Sequence, residues 1–223
     1  MLTQSISDLD LLKVVDENTL KTYYGCNQEW YGTERQRLSG CGPSVAATII
    51  CYLNNKRFSV GVEQRLNSKE SCLSLMEEVW KYVTPATEGI PTTKMWLEAV
   101  LRYTKAKGLN IKYSLCDLPK EAFFRPSISQ VISFIKEALL EDEPVAFLNL
   151  CNGEETNLDS WHWVTTVSLN YKEDGSSAFI TILDRGKMKT VDLVLWYDTT
   201  TLGGGFVSFS LHDPEMGNSD RNN

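Results

Sequence analysis

An α+β fold, with an N-terminal helical part packed on a C-terminal antiparallel sheet, is what this sequence predicts. Helical periodicity fills the first two-thirds of the chain, strand-like alternation fills the last third, and the run Val145-Ala146-Phe147-Leu148-Asn149-Leu150 between them reads as a strand buried on both faces. At 223 residues the chain is long enough to bury a real core. It reads as one domain over residues 1–212, helical over about 25–141 and sheet-forming over about 144–210, with a disordered tail at 213–223 rich in Asn, Asp and Gly.

Taken in order, residues 1–24 read as an arm with one short helix near 8–15. The piece Gly25-Cys26-Asn27-Gln28-Glu29-Trp30-Tyr31-Gly32 is a polar and aromatic loop with glycine at both ends. A helix runs from Cys41 to about Leu53, ended by Asn54-Asn55-Lys56-Arg57. Residues 68–83 carry Leu73, Met76, Val79, Trp80 and Val83 at three- and four-residue spacing, a helix that Pro85 stops. Pro91 opens a third helix over 92–107, with Met95, Ala99, Leu101 and Tyr103 as its apolar stripe and Gly108 as its stop. Residues 109–115 alternate as a short strand. After Pro126-Ser127 a fourth helix over 128–140 sets Val131, Ile132, Ile135 and Leu139 on one face, and Pro144 bars its continuation. The later strands are expected at 161–171, 178–184, 190–196 and 205–210, joined by turns such as Glu173-Asp174-Gly175 and Asp184-Arg185-Gly186.

Charge and composition exclude several classes of partner. The chain has 22 basic against 29 acidic residues, a net charge of −7, and no basic block interleaved with aromatics, so neither nucleic acid nor an anionic membrane is an expected partner. Its first residues carry acids where a secretory signal carries lysines, and the most apolar run, 45–53, is too short to cross a bilayer. The six cysteines are widely spaced with no Cys-x-x-Cys, so reduced thiols and a cytoplasmic location are expected.

Among those cysteines Cys41 has a distinctive setting. In Ser39-Gly40-Cys41-Gly42-Pro43-Ser44 a glycine-flanked turn enters a helix, with Pro43 near the first helical position. Cys41 therefore meets the positive end of a helix dipole and its unpaired N–H groups, which favour the nucleophilic thiolate. Cys51 lies in an apolar run and reads as core; Cys26, Cys72, Cys116 and Cys151 have no comparable turn.

The chain has two histidines, and His212 lies beside the polar tail. His162 stands in Trp161-His162-Trp163-Val164-Thr165-Thr166-Val167-Ser168-Leu169, where alternation puts it on the face opposite the apolar residues. A strand histidine is commonly structural; its value here depends on its neighbours. If the hairpin after it has an odd-length loop centred on Asp174, Gly186 lies opposite His162 and Asp184 is diagonally adjacent on the same face. An even-length loop without a bulge puts Asp184 on the wrong face. When the condition is met, Asp184 can orient the imidazole while the other ring nitrogen faces the thiol, the nucleophile–base–orienter arrangement of acyl transfer. Oxyanion donors are then the Cys41 N–H with Gln28, Gln36 or Asn27.

The Gly-Cys-Gly-Pro-Ser helix start, His162-Trp163-Val164 on a strand and Asp184 ending the next strand resemble papain-like cysteine peptidases. Within them the pattern is most similar to the bacterial branch that includes the leader-peptidase domains of bacteriocin exporters and their stand-alone relatives. The resemblance spans about residues 25–209. It implies a papain-like fold with Cys41, His162 and Asp184 in the places of nucleophile, base and orienter, and a glutamine upstream of the cysteine, Gln28 or Gln36, in the oxyanion hole. The papain and cathepsin signature, with its second cysteine before the nucleophile, is absent, the glutamine spacing is unusual, and no exporter-like membrane segment is present.

The sequence thus predicts a cysteine peptidase acting on a peptide or protein substrate, requiring no metal or organic cofactor. Two alternatives stand beside it: an acyltransferase on the same fold, where an amine replaces water, and a peptide-binding module whose triad is vestigial.

Overall fold

A computed structural model describes residues 1–58, 66–86 and 89–212. Its strands are β1 (Leu2–Ser5), β2 (Lys13–Asp16), β3 (Lys21–Tyr24), β4 (Asn110–Leu118), β5 (Val145–Asn149), β6 (His162–Tyr171), β7 (Ala178–Asp184), β8 (Lys187–Asp192) and β9 (Gly204–His212). Its helices are α1 (Glu34–Ser39), α2 (Cys41–Phe58), α3 (Lys69–Trp80), α4 (Thr93–Ala106), α5 (Ile128–Leu140) and α6 (Leu193–Thr199), with short 3-10 turns at Leu9–Leu12, Gln28–Trp30 and Ala122–Phe124. The tail at 213–223 lies outside the described residues.

The helices expected from periodicity are present, and three start at side chains that satisfy otherwise unpaired N–H groups. Ser68 accepts from Ser71 N, Thr92 from Met95 N and Ser127 from Gln130 N. On α4 the buried stripe is Trp96, Leu97, Ala99, Val100 and Tyr103, whereas Met95, expected inside, is half exposed. A weak stripe on paper is thus rotated by about one residue in the fold. The helix from Cys41 does not end at Leu53. It continues through Asn54-Asn55-Lys56-Arg57 because Asn55 is buried and bonded, its amide donating to Leu11 O at 2.8 Å and its carbonyl accepting from Leu66 N at 2.9 Å.

Seven antiparallel strands form the main sheet in the order β4-β9-β5-β6-β7-β8, with β1 added beside the C-terminal half of β6. β4 covers the strand expected at 109–115 and runs on to Leu118, while β1, β2 and β3, of four residues each, fall in the segment read as an arm. Of the helix expected near 8–15 only the 3-10 turn Leu9–Leu12 forms, and β2 follows it directly and pairs with β3 in a separate hairpin. Such four-residue strands leave little period to read; pairing defines them. A second correction falls at 190–196, read as a strand: β8 stops at Asp192, whose carboxylate accepts from Leu195 N at 3.0 Å and starts α6. Trp196 is thereby turned into the core, fully buried against Phe147 and Phe206.

The hairpin of β6 and β7 matters most. Tyr171 pairs with Ala178, so its loop has an even length, not the odd length expected. Between Thr166 and Ser168 the register then shifts by one residue, a β-bulge at Val167. Beyond it Thr165 pairs with Leu183, and continuing that register sets Val164 opposite Asp184 and His162 opposite Gly186. The bulge does what the odd loop was required to do.

Strand β6 is buried at nearly every position, so its alternation does not divide core from solvent, and His162 is only 6% exposed. Trp163 stacks on Trp96 of α4 with ring centroids 5.1 Å apart. Trp96 Nε1 donates to Gly42 O and Trp163 Nε1 to Ile90 O, each at 2.9 Å. Those two indoles fasten the start of α2 against the start of β6 and position the site.

Candidate active site

Helix α2 begins at Cys41 because α1 ends at Ser39, with Gly40 alone between them. Gly40 is the junction: a Cβ there would lie 2.3 Å from Gln36 O and 2.7 Å from the Tyr31 ring, so only glycine fits. The half-buried thiol lies at the positive end of an 18-residue helix. Opposite it are the starts of β6 and the end of β7. Cys41, His162 and Asp184 line one narrow cleft together with Cys26, Gln28, Ser44 and Thr48.

His162 Nε2 is 2.8 Å from Asp184 Oδ1, leaving Nδ1 for the Cys41 side chain, with which the ring also interacts. The second oxygen of Asp184 accepts from Lys189 Nζ at 2.6 Å. Both members of the His162–Asp184 pair are buried. Burial alone raises a thiol pKa. Here the hydrogen bond and charge of His162, with the backbone N–H groups of Trp163 and Gly42, outweigh it and hold Cys41 below the ordinary thiol value. Burial likewise disfavours an imidazolium, yet Asp184 and Cys41 raise His162 to about 9. For Asp184, burial is outweighed by His162 and then Lys189, so its carboxyl stays well below the usual carboxylate range. The shifts of Cys41 and His162 both act in the direction of a thiolate facing an imidazolium.

The three oxyanion candidates have different surroundings. Gln28 is buried in the cleft wall, and its Nε2 donates one hydrogen bond to Arg37 O at 2.8 Å, leaving the amide a second N–H. Gln36 is absorbed into the capping box of α1 with Thr33 and donates to Glu77 Oε2 at 2.7 Å. Asn27 caps the 3-10 turn, accepting from Glu29 N at 3.0 Å. His212 pairs through its backbone with Asn110 at the far edge of the sheet.

Sequence reading missed Lys189, Arg185 and Asp159. The signal for Lys189 was present: Arg185-Gly186 is a two-residue turn with positive φ at both positions, 48° and 73°, which fixes Asp184 opposite Lys187 and Lys189 opposite Ile182, diagonal to Asp184. Arg185 makes an ion pair with Asp159 at 3.1 Å across the mouth of the site. Asp159, His162 and Asp184 place ligand atoms within 4.8 Å of one another, a grouping able to hold a metal ion. Arg185 and Lys189 already occupy its carboxylates, so a divalent ion entering there has to displace two of the protein's own cations.

The cleft leaves about 20 Å³ for the centres of water-sized molecules, room for roughly one such molecule. A carbonyl oxygen can enter beside the sulfur, whereas the rest of a substrate must lie along the surface.

No family model matches this chain, and no curated protein matches it. Among solved structures it is similar to UfSP from C. elegans, a cysteine protease of the papain-like fold, with a TM-score of 0.52 over 95% of this chain and 10% sequence identity. The chain spans about a third of that structure's length, 35%. The likeness, with the mixed helices and antiparallel sheet, defines an α+β papain-like fold. Among the described residues no helix is long and apolar enough to cross a membrane.

Proposed function

We propose that this protein is a cysteine peptidase acting on peptide or protein substrates, within one domain over residues 1–212. Cys41 is the nucleophile, His162 the base that later returns the proton, Asp184 the group that orients the imidazole, and Gln28 with the Cys41 N–H the oxyanion donors. The observation that carries this reading is the division of the imidazole: Nε2 bonded to Asp184, Nδ1 left to the thiol at the head of α2. Attack by the Cys41 thiolate on a peptide carbonyl gives a tetrahedral oxyanion in the small cleft. Its collapse passes the His162 proton to the leaving amine and leaves an acyl-enzyme, which water cleaves with His162 as base. Placement in the leader-peptidase-like branch rests on the Gly-Cys-Gly-Pro-Ser and His-Trp-Val motifs. Work in a reducing, cytoplasmic setting accords with six free cysteines.

The test is digestion of peptide mixtures by the wild-type chain and by Cys41→Ser, read by product mass. Cleavage by the former and none by the latter is expected. Equal cleavage by both refutes the assignment.

A further inference from the structure

Strand β8 is an edge of the main sheet, and a lysine on an edge strand commonly does no more than block further pairing. Lys187, which is exposed, fits that role. Lys189 departs from it. Its side chain is 33% exposed, yet its Nζ reaches inward to Oδ2 of Asp184, whose side chain is 3% exposed, at 2.6 Å. The tight Arg185-Gly186 turn makes that reach possible: with Asp184 opposite Lys187, Lys189 stands diagonally beside Asp184, within range of a long side chain.

Asp184 thus has two oxygens and two partners. Oδ1 lies 2.8 Å from His162 Nε2, and among the described residues Lys189 is the one side chain bonded to Oδ2. Arg185, next to Asp184 in the chain, is paired with Asp159 at 3.1 Å. The terminal torsion of an aspartate is broad and roughly two-fold, so a carboxylate held by the imidazole alone is free to swing or to exchange its oxygens. A second bond to the other oxygen fixes its plane. That bond is charge-assisted and short, and without it a buried acceptor would be left unpaired. After His162, the same ammonium also helps keep the Asp184 carboxyl ionised.

We propose that Lys189 is a positioning residue for the candidate catalytic pair: by holding Oδ2 it fixes the Asp184 carboxylate so that Oδ1 meets His162 Nε2 and Nδ1 stays turned to the Cys41 side chain. Lys189 contacts neither the sulfur nor the ring. It acts through Asp184 on His162, and through His162 on Cys41. The effect on turnover rests on the peptidase reading; the effect on the His162–Asp184 bond does not.

The experiment compares the wild-type chain with Lys189→Met, which keeps most of the stem and removes the donor, and Lys189→Arg, which keeps a charged donor. Steady-state peptide cleavage is measured beside the proton NMR signal of His162 Nε2–H, assigned as the one missing from His162→Ala. A proton locked in a buried bond to a carboxylate gives a persistent downfield signal, and a loosened bond exposes it to exchange with water. Lys189→Met should lower kcat by about 10-fold at unchanged KM, below the roughly 10²-fold of a misplacement of about 1 Å. The downfield signal should broaden or vanish in that variant, and Lys189→Arg should restore both the signal and, to within a few-fold, kcat. A Lys189→Met protein that keeps the wild-type signal overturns the proposal, whatever its turnover, because its loss would then be structural. Should Lys189→Met fail to fold, a folded Lys189→Arg without the signal overturns it equally. A signal present in the wild type, lost in Lys189→Met and restored in Lys189→Arg, with no cleavage by any of the three, supports the positioning role and contradicts the peptidase reading alone.

Discussion

His162 has two ring nitrogens with different partners, and the chemistry of the site follows from that division. Asp184 fixes Nε2 and makes an imidazolium affordable in a buried position; the thiol at Nδ1 gains a counter-ion. The same logic separates the glutamines. Gln28→Ala should lower kcat by about 10²–10³-fold, the usual cost of one oxyanion donor. Gln36→Ala should leave kcat within a few-fold and remove about 1 kcal/mol of stability by opening the α1 capping box. Steady-state kinetics beside urea unfolding of both variants separates the two roles. Cys41 and His162 were legible because helix-start chemistry and the scarcity of histidine each select a residue, whereas Asp184 followed only on condition of an odd-length loop, a condition the bulge at Val167 meets in its place. Arg185 and Asp159 were not legible, because an ion pair between two loops has no sequence period.

At the scale of elements, apolar spacing and proline made α3, α4 and α5 readable, with Pro126-Ser127 and Pro144 bracketing α5. The misread elements are those whose conformation is decided by distant partners. Asn54-Asn55 resembles a helix end until Leu11 and Leu66 satisfy Asn55, and the β-branched run before Trp196 resembles a strand until Asp192 caps it. The bulge at Val167 has no local signature, yet it decides which side of β7 faces His162. The α1–α2 junction offers a direct test. Gly40→Ala drives a Cβ into the Gln36 carbonyl, so it should cost more than about 1 kcal/mol in urea unfolding and slow turnover by displacing the Cys41 helix start. An unchanged midpoint would show that the junction is looser than described.

For the whole molecule, the papain-like arrangement joins a helix start to two strand ends that lie far apart in sequence, so site and fold share their stability. Asp184 shows how. Its carboxyl is held below its unfolded value of about 3.9, so its contribution is present above that pH and lost as pH falls towards the depressed value. Asp184→Asn should therefore be less stable than wild type at neutral pH, with the gap closing below about pH 4. Urea midpoints measured across that range check the sign; a gap constant with pH would show that Asp184 contributes through packing and not through charge.

The proposed chemistry depends on an ionised Cys41 sulfur held by the His162 imidazolium, and the pH profile of Cys41 alkylation by iodoacetamide reads that state directly. The wild-type rate should persist well below the ordinary thiol range of about 8.5, and in His162→Ala burial acts without its counterweight, so the rate should fall and its midpoint should move up. Superimposable profiles for the two proteins, both with the midpoint of a free thiol, would contradict it.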